Sequence, residues 1–370
     1  MALDALDPFN VRRQLERLSG LRDAAALATD PGFLLNARRA LLPLPVVDRR
    51  RPVDTDVLPP FESRPIAALR GKRVGVVGGG GGGACVALVG VARALEEAGV
   101  EPEAIAACSG SAIWGAMWAG GMTADEMAEF SLSWRPEDYL KVQWIGLPRF
   151  ALSAVRGFTG LGSGEALERL FDRRLWRMCA GETTIPLHTL GYDMDRGSVE
   201  PLGTTHTPEL TLGELARIAV ARPLVSDAVR VEGDLYVDGA VVDGFPADLL
   251  DDGLDHVVGL NVMLPAGFEG EDISGWEQRR SGAADAGRQL EMANQLELAR
   301  RTRRRLGKRL TLVEPVPYEG LRGMSFYELF LDRRDWPALI RAGYHSTVEA
   351  LQPLRRRKGG RARSRQGASA

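Results

Sequence analysis

The chain has 370 residues, 45% of them hydrophobic and 26% charged, with a formal net charge of −2. That length buries one large core or two small ones, and so even a charge excludes a chain-wide affinity for nucleic acid or an anionic membrane. No apolar run approaches the ~20 residues that cross a bilayer. The start, Met1–Pro8, has no basic region followed by an apolar core, so no secretory signal is expected. Cys85, Cys108 and Cys179 are odd in number and lack metal-ligand spacing, which reads as reduced thiols in a cytoplasmic protein.

Residues 1–70 hold two short helical patterns, near Val11–Leu21 and Asp30–Leu42, and then a Pro- and Arg-rich connection. They are expected to form an extension on the main body, able to cover an active site. A β-branched strand, Arg73–Val77, then enters six glycines, Gly78–Gly83, and a helix expected from Ala84 to Ala98 that Gly99 closes. Ordering six glycines costs much backbone entropy, so the run needs a purpose. One purpose is to aim several N–H groups at a negative charge beside a helix N-terminus, as a phosphate cradle or an oxyanion hole. A P-loop needs Lys after its last glycine, where Ala84-Cys85 stand. A dinucleotide fingerprint, the mark of a nucleotide-dependent oxidoreductase, fits Gly78, Gly80 and Gly83. Its acidic partner should end the second strand, but Glu101 and Glu103 precede it.

The second strand, Ala104–Ala107, leads into Cys108-Ser109-Gly110-Ser111-Ala112 and a helix that runs to Gly120-Gly121. Strand, sharp turn and helix around a serine is the setting of a nucleophile elbow. The strained turn tolerates only small residues two places before and after the serine; here they are Ala107 and Ser111 instead of glycines. Taken alone, Ser109 reads first as the N-cap of that helix. Cys108 is a rival nucleophile, but the elbow register favours Ser109.

Thr123–Glu126 forms a capping box for a further helix. Trp134, Tyr139, Trp144, Phe150 and Phe158 follow, as a small core beneath a long loop or as an apolar lid or acyl-chain wall. Helices over Ser163–Leu175 and Leu212–Ala221, the second opened by a capping box at Thr211–Glu214, alternate with strands at Leu187–Tyr192, Leu235–Val237 and His256–Val262. That alternation predicts an α/β fold with a mainly parallel central sheet covered by helices on both faces, in three layers. Asp238-Gly239, ending the strand Leu235–Val237, reads by itself as an ordinary tight turn.

Taken together, these stretches resemble the patatin-like phospholipases. Val76–Gly99 is similar to the family's opening strand, glycine loop and helix; Leu235–Pro246 resembles its second signature, which carries the aspartate of a Ser-Asp dyad. Gly191–Gly197, Ala221–Val225 and Phe158–Leu170 also resemble family segments, so the likeness covers roughly Gly71 to Leu264. It implies that Ser109 is the nucleophile and Asp238 the base. The backbone N–H groups of Gly80, Gly81, Gly82 and Gly110 would hold the oxyanion, with neither metal nor cofactor. The implied substrate is a lipid or another acyl ester. Three departures stand out: Ala84-Cys85 where the family has Arg or Lys then Gly, the relaxed elbow, and no Pro-Pro near Asp227-Ala228. They allow a lipid-binding protein that keeps the fold without the chemistry. The histidines His188, His206, His256 and His345 would matter only to a Ser-His-Asp triad.

Residues 265–354 are expected to form a helical part packed on a core of 71–264. It contains a long helix near Ala284–Leu306 ending in Arg300, Arg301, Arg303, Arg304 and Arg305, an edge strand at Leu310–Val313, a helix capped by Ser325–Glu328, and a last helix ending near Leu354. The basic tail 355–370 reads as disordered. Beside a lipid hydrolase it suggests transient contact with an anionic membrane surface, at about 1 kcal/mol per charge.

Overall fold

The computed structural model describes residues 57–139, 141–142, 160–269, 283–316 and 333–352. The helical patterns of the extension, the aromatic residues Trp144, Phe150 and Phe158, the helix at Ser325 and the basic tail lie outside the described residues. Besides a single helical turn at Pro136–Tyr139, the strands and helices are in chain order β1 (Val74–Gly78), α1 (Ala87–Glu97), β2 (Ala104–Ala107), α2 (Gly110–Ala119), α3 (Ala124–Ser133), β3 (Lys141–Val142), β4 (Gly160–Ser163), α4 (Glu165–Arg174), β5 (Leu187–Asp193), β6 (Ser198–Gly203), α5 (Leu212–Ala219), β7 (Leu224–Ser226), β8 (Val229–Val231), β9 (Asp234–Asp238), β10 (His256–Leu260), α6 (Ala283–Leu306), β11 (Leu310–Val313) and α7 (Trp336–Leu351).

The main sheet runs β11-β10-β1-β2-β5-β9-β8, with β6 also on β5. From β11 to β5 the neighbours are parallel; β6, β9 and β8 join antiparallel. The fold is therefore α/β with a mixed sheet. Side chains alternate along each central strand: Val74, Val76, Ile105, Ala107, Val258 and Leu260 enter one core, while Val77, Ala106 and Val257 enter the other. The first core lies under α1, α2, α5 and α7, and the second under α6 and the Phe245–Phe268 pair. Such two-faced burial explains why the central strands read as continuous apolar runs. Small strands β3, β4 and β7 form a separate sheet.

Both threonine capping boxes form as expected, at Thr123 and Thr211, with each threonine oxygen accepting the N–H three residues on. Trp134 and Tyr139 are buried with Trp114, Phe130, Phe171 and Trp336, so these two belong to a core. The arginines ending α6 bond to its own Glu297 and to the neighbouring core surface: Arg305 reaches Asp248 and Asp252, Arg303 reaches Glu269, and Arg300 Nε donates to Phe268 C=O. Of the extension, Val57, Leu58 and Leu69 are buried in the first core, and Arg64 N–H donates to Glu97 C=O.

Helices α1 and α7 cross with their backbones nearly touching. A Cβ on Gly90 would overlap Ile340 O and Tyr344 N, and one on Gly343 would overlap Ala87 O. The crossing is locked by Tyr344 Oη donating to Glu97 Oε2 at 2.6 Å, with Arg93 Nε 3.4 Å from Glu97 Oε1. Because backbone cannot give way as a flexible side chain can, Gly90→Ala and Gly343→Ala are each expected to cost about 1–3 kcal/mol or more. Urea denaturation measures this, and unchanged midpoints would show that the helices do not approach so closely.

Candidate active site

β2 ends at Ala107, and the chain reverses through Cys108 and Ser109 into α2. Ser109 takes φ 49° and ψ −135°, a region that side chains rarely occupy. It stands at the N-cap position of α2, yet its side chain makes no capping hydrogen bond. The hydroxyl is thus not spent on the helix, and the strain is of the kind that collects at functional sites. Every residue of α2 is buried, which holds the turn in place.

Around this turn the glycines do separate jobs. Gly110 opens α2 against the glycine loop, where a Cβ would overlap Gly82 O; Gly82 itself has φ +56°. Ser111 is buried, and its Oγ donates to Gly79 O at 2.6 Å. It fits because Gly78 opposite has no Cβ; one built there would lie 2.6 Å from Ser111 Cβ. The space that the elbow usually gains from a glycine at position 111 is thus supplied by Gly78. Cys85, the other departure, donates from Sγ to the same Gly79 O at 3.4 Å.

The loop's N–H groups divide. Gly79 N–H donates to Leu260 O at 3.0 Å and Gly80 N–H to Gly244 O at 2.9 Å. Gly80 therefore departs from the expectation for it: its N–H fastens the loop to the Asp238–Gly244 segment. Gly81 and Gly82 stand at the cap and first position of the 3₁₀ turn Gly82–Val86, and Gly110 at the first position of α2. N–H groups at such positions have no acceptor within their own helix, and the helix dipoles make both ends favourable for an anion.

Asp238 ends β9 fully buried, with Ala240 N–H donating to its Oδ1 at 3.0 Å and its own N–H donating to Ala221 O at 3.1 Å. The sheet register sets it level with the elbow. Ala106 lies opposite His188, and Gly191 opposite Asp238; Ser109 and Gly191 each lie three residues beyond the first pair. Gly80 fills the gap between them: a Cβ there would be 3.5 Å from Ser109 Cβ and 3.6 Å from Ala240 Cβ. Serine, aspartate turn and glycine loop therefore share one rim of the sheet.

Glu103, by contrast, is at the opposite end, bonding through its N–H to Val74 O and pairing with Arg73. No acidic residue ends β2 as a dinucleotide site would need. Burial raises the Cys85 thiol to about 12 and pushes Cys108 well above its usual value, with Asp238 adding to both. Both sulfurs stay protonated, which removes Cys108 as a nucleophile. The histidines have other partners: His256 Nε2 lies 3.0 Å from Thr311 Oγ1, His188 packs on His206, and His345 on Tyr344.

Two residues here escaped the sequence reading. Gln295, on α6, donates from Nε2 to Ala240 O at 2.6 Å. Asp243 accepts Phe245 N–H at 2.9 Å, and burial holds its carboxyl above the usual 3.8, with Asp248 adding to the rise. A carboxyl raised on folding gives stability that is present below pH 3.8 and lost as pH climbs through its folded-state value. Asp243→Asn keeps the acceptor and removes that loss. It is expected to melt above wild type at about pH 7, and the gap should close below pH 3.8 in thermal scans.

Residues 76–251 match the family model for patatin-like phospholipase. Neuropathy target esterase sws of Drosophila melanogaster is 24% identical over 213 residues, which make up 56% of this chain and 14% of that protein's length. Among solved structures, VipD from Legionella pneumophila compares with a TM-score of 0.42 at 13% identity, over 76% of this chain and 66% of that one. Full-length ExoU of Pseudomonas aeruginosa, solved with SpcU, compares at 0.37 and 15%, over 79% and 54%. The end of β1, the glycine loop, the elbow and the aspartate turn fall within the matched segment, and over residues 76–251 this chain carries the patatin-like phospholipase family's domain sequence.

Proposed function

We propose that the protein is a serine hydrolase that cleaves carboxylic esters of lipid-like substrates through Ser109 and Asp238. The observation that carries the reading is the Ser109 backbone, held at φ 49° between β2 and the fully buried α2 with its hydroxyl unspent on the helix. The family match and the esterase relative support lipid-like esters as the substrate class. In this mechanism Ser109 Oγ attacks the ester carbonyl carbon while its proton passes to the Asp238 carboxylate. The negative charge that develops on the carbonyl oxygen meets N–H groups of Gly81, Gly82 and Gly110, preorganised donors of the kind that lower such barriers most. Collapse of the tetrahedral intermediate expels the alcohol, which takes the proton from Asp238, and leaves an acyl ester on Ser109. Water then attacks that ester and gives its proton to Asp238; collapse of the second intermediate frees the carboxylic acid, and Asp238 returns the proton to the departing Ser109 Oγ.

Ser109 lies only 9% exposed, so the substrate must reach it by its reacting end, in surroundings that strengthen the oxyanion bonds. No described helix is long and apolar enough to cross a membrane. In the proposed reading the basic tail makes transient contact with an anionic lipid surface, and the protein works in the cytoplasm.

Labelling with a fluorophosphonate, followed by peptide mapping, tests the reading. The probe is expected on Ser109, lost in Ser109→Ala and reduced at least about a hundredfold in Asp238→Asn, with far-ultraviolet circular dichroism unchanged. Folded wild type that takes no label would move the assignment to a lipid-binding protein. Because proton transfer is carried by Asp238, ester hydrolysis should also persist in EDTA; a strict calcium requirement for the chemical step would contradict the dyad.

A further inference from the structure

The loop that carries Asp238 is held from a helix outside the matched segment. Gln295 is wholly buried on α6, and its Nε2 donates to Ala240 O at 2.6 Å. One residue earlier, Asn294 Nδ2 donates to Val242 O at 3.0 Å. Gln295 Oε1 also closes over Gly244, where a Cβ would come within 2.8 Å of it. These contacts fall on the two places where the loop meets the candidate chemistry. Ala240 N–H holds Asp238 Oδ1 at 3.0 Å, and Gly244 O receives Gly80 N–H at 2.9 Å. One buried amide thus touches both the hold on the aspartate and the anchor of the glycine loop.

The chemistry of the amide argues for purpose. Burying a glutamine costs both side-chain entropy and desolvation, and an apolar side chain of similar volume would fill the same space without them. What the amide adds is direction, since a hydrogen bond at 2.6 Å fixes where the Ala240 carbonyl points. The Ala240 carbonyl and N–H flank one Cα inside the short turn Gly239–Val241, so anchoring the carbonyl restrains that turn and with it the N–H that holds the Asp238 carboxylate.

We propose that Gln295 is a positioning residue, which through the Ala240 carbonyl orients Asp238 and through Gly244 keeps the glycine loop in register with it. The proposal rests on Asp238 acting as the base. α6 is then a brace for the active site as well as a cover for the second core.

The experiment compares full-length wild type with Gln295→Met, which keeps the volume and removes the donor. Amide hydrogen exchange reads Ala240 and Gly80, fluorophosphonate reads Ser109, and hydrolysis of a p-nitrophenyl acyl ester gives kcat and KM. The expected result is faster exchange at both amides, labelling slowed roughly tenfold, and a matching fall in kcat with KM within about twofold. Unchanged exchange with unchanged labelling overturns the proposal. Faster exchange in a protein whose wild type takes no label upholds the positioning role and removes the dyad. Should Gln295→Met not fold, Asn294→Ala, on the exposed side of α6, is expected to shift exchange and kcat in the same direction by less. No shift there also overturns the proposal.

Discussion

The contact on which the site depends is between two stretches of backbone. Gly110 and the Gly82 carbonyl meet so closely that no side chain fits between them, and two helix N-termini abut as a result. Each helix end brings N–H groups and the positive end of its dipole, so the meeting point favours negative charge before any side chain is considered. The strain at Ser109 follows from the same contact, because α2 can enter against the loop only if the chain turns sharply just before it. The fully buried α2 supplies the packing that keeps the turn from relaxing.

Departures from the usual elbow pattern are absorbed by the neighbours. Ser111 takes the volume that Gly78 leaves open and returns a hydrogen bond to Gly79 O, to which Cys85 also donates. The carbonyl at the head of the loop is therefore held by a hydroxyl and a thiol. Both thiols near the loop are neutral, so the region beneath the serine adds no charge to compete with the one expected in the reaction.

Much of this was legible because particular residue types leave strong local marks. Apolar runs gave away β1, β2 and β10, and the Thr-x-x-Glu patterns gave away the starts of α3 and α5. β6 and β8 were missed: Ser198–Gly203 is mostly half-buried, and Val229–Val231 is three residues long, so neither carries an apolar run. The helix expected from Ala84 begins instead as the 3₁₀ turn Gly82–Val86, since glycines permit the tighter winding but do not announce it. At the site, Ser109 and Asp238 stood out by their turn chemistry. Which of six glycine N–H groups faces outward was not legible, because glycine allows either direction; only the Gly244 carbonyl across the way turns Gly80 inward. Gln295 looked like any polar residue of a surface helix, and Asp243 like one more turn residue.

The pairing of β1 with β10 sets a limit on how this protein can be divided. The family-matched segment ends at residue 251, five positions before β10 begins at His256 and well before α7. A fragment cut at that point would leave β1, the strand that launches the glycine loop, as an open edge with unpaired N–H and C=O groups. It would also bare the glycine-lined face of α1 and release Gly79 from Leu260. Such a piece would recruit other chains to its edge more readily than it would hold an active site. The part of the chain most easily recognised is thus not an autonomous unit.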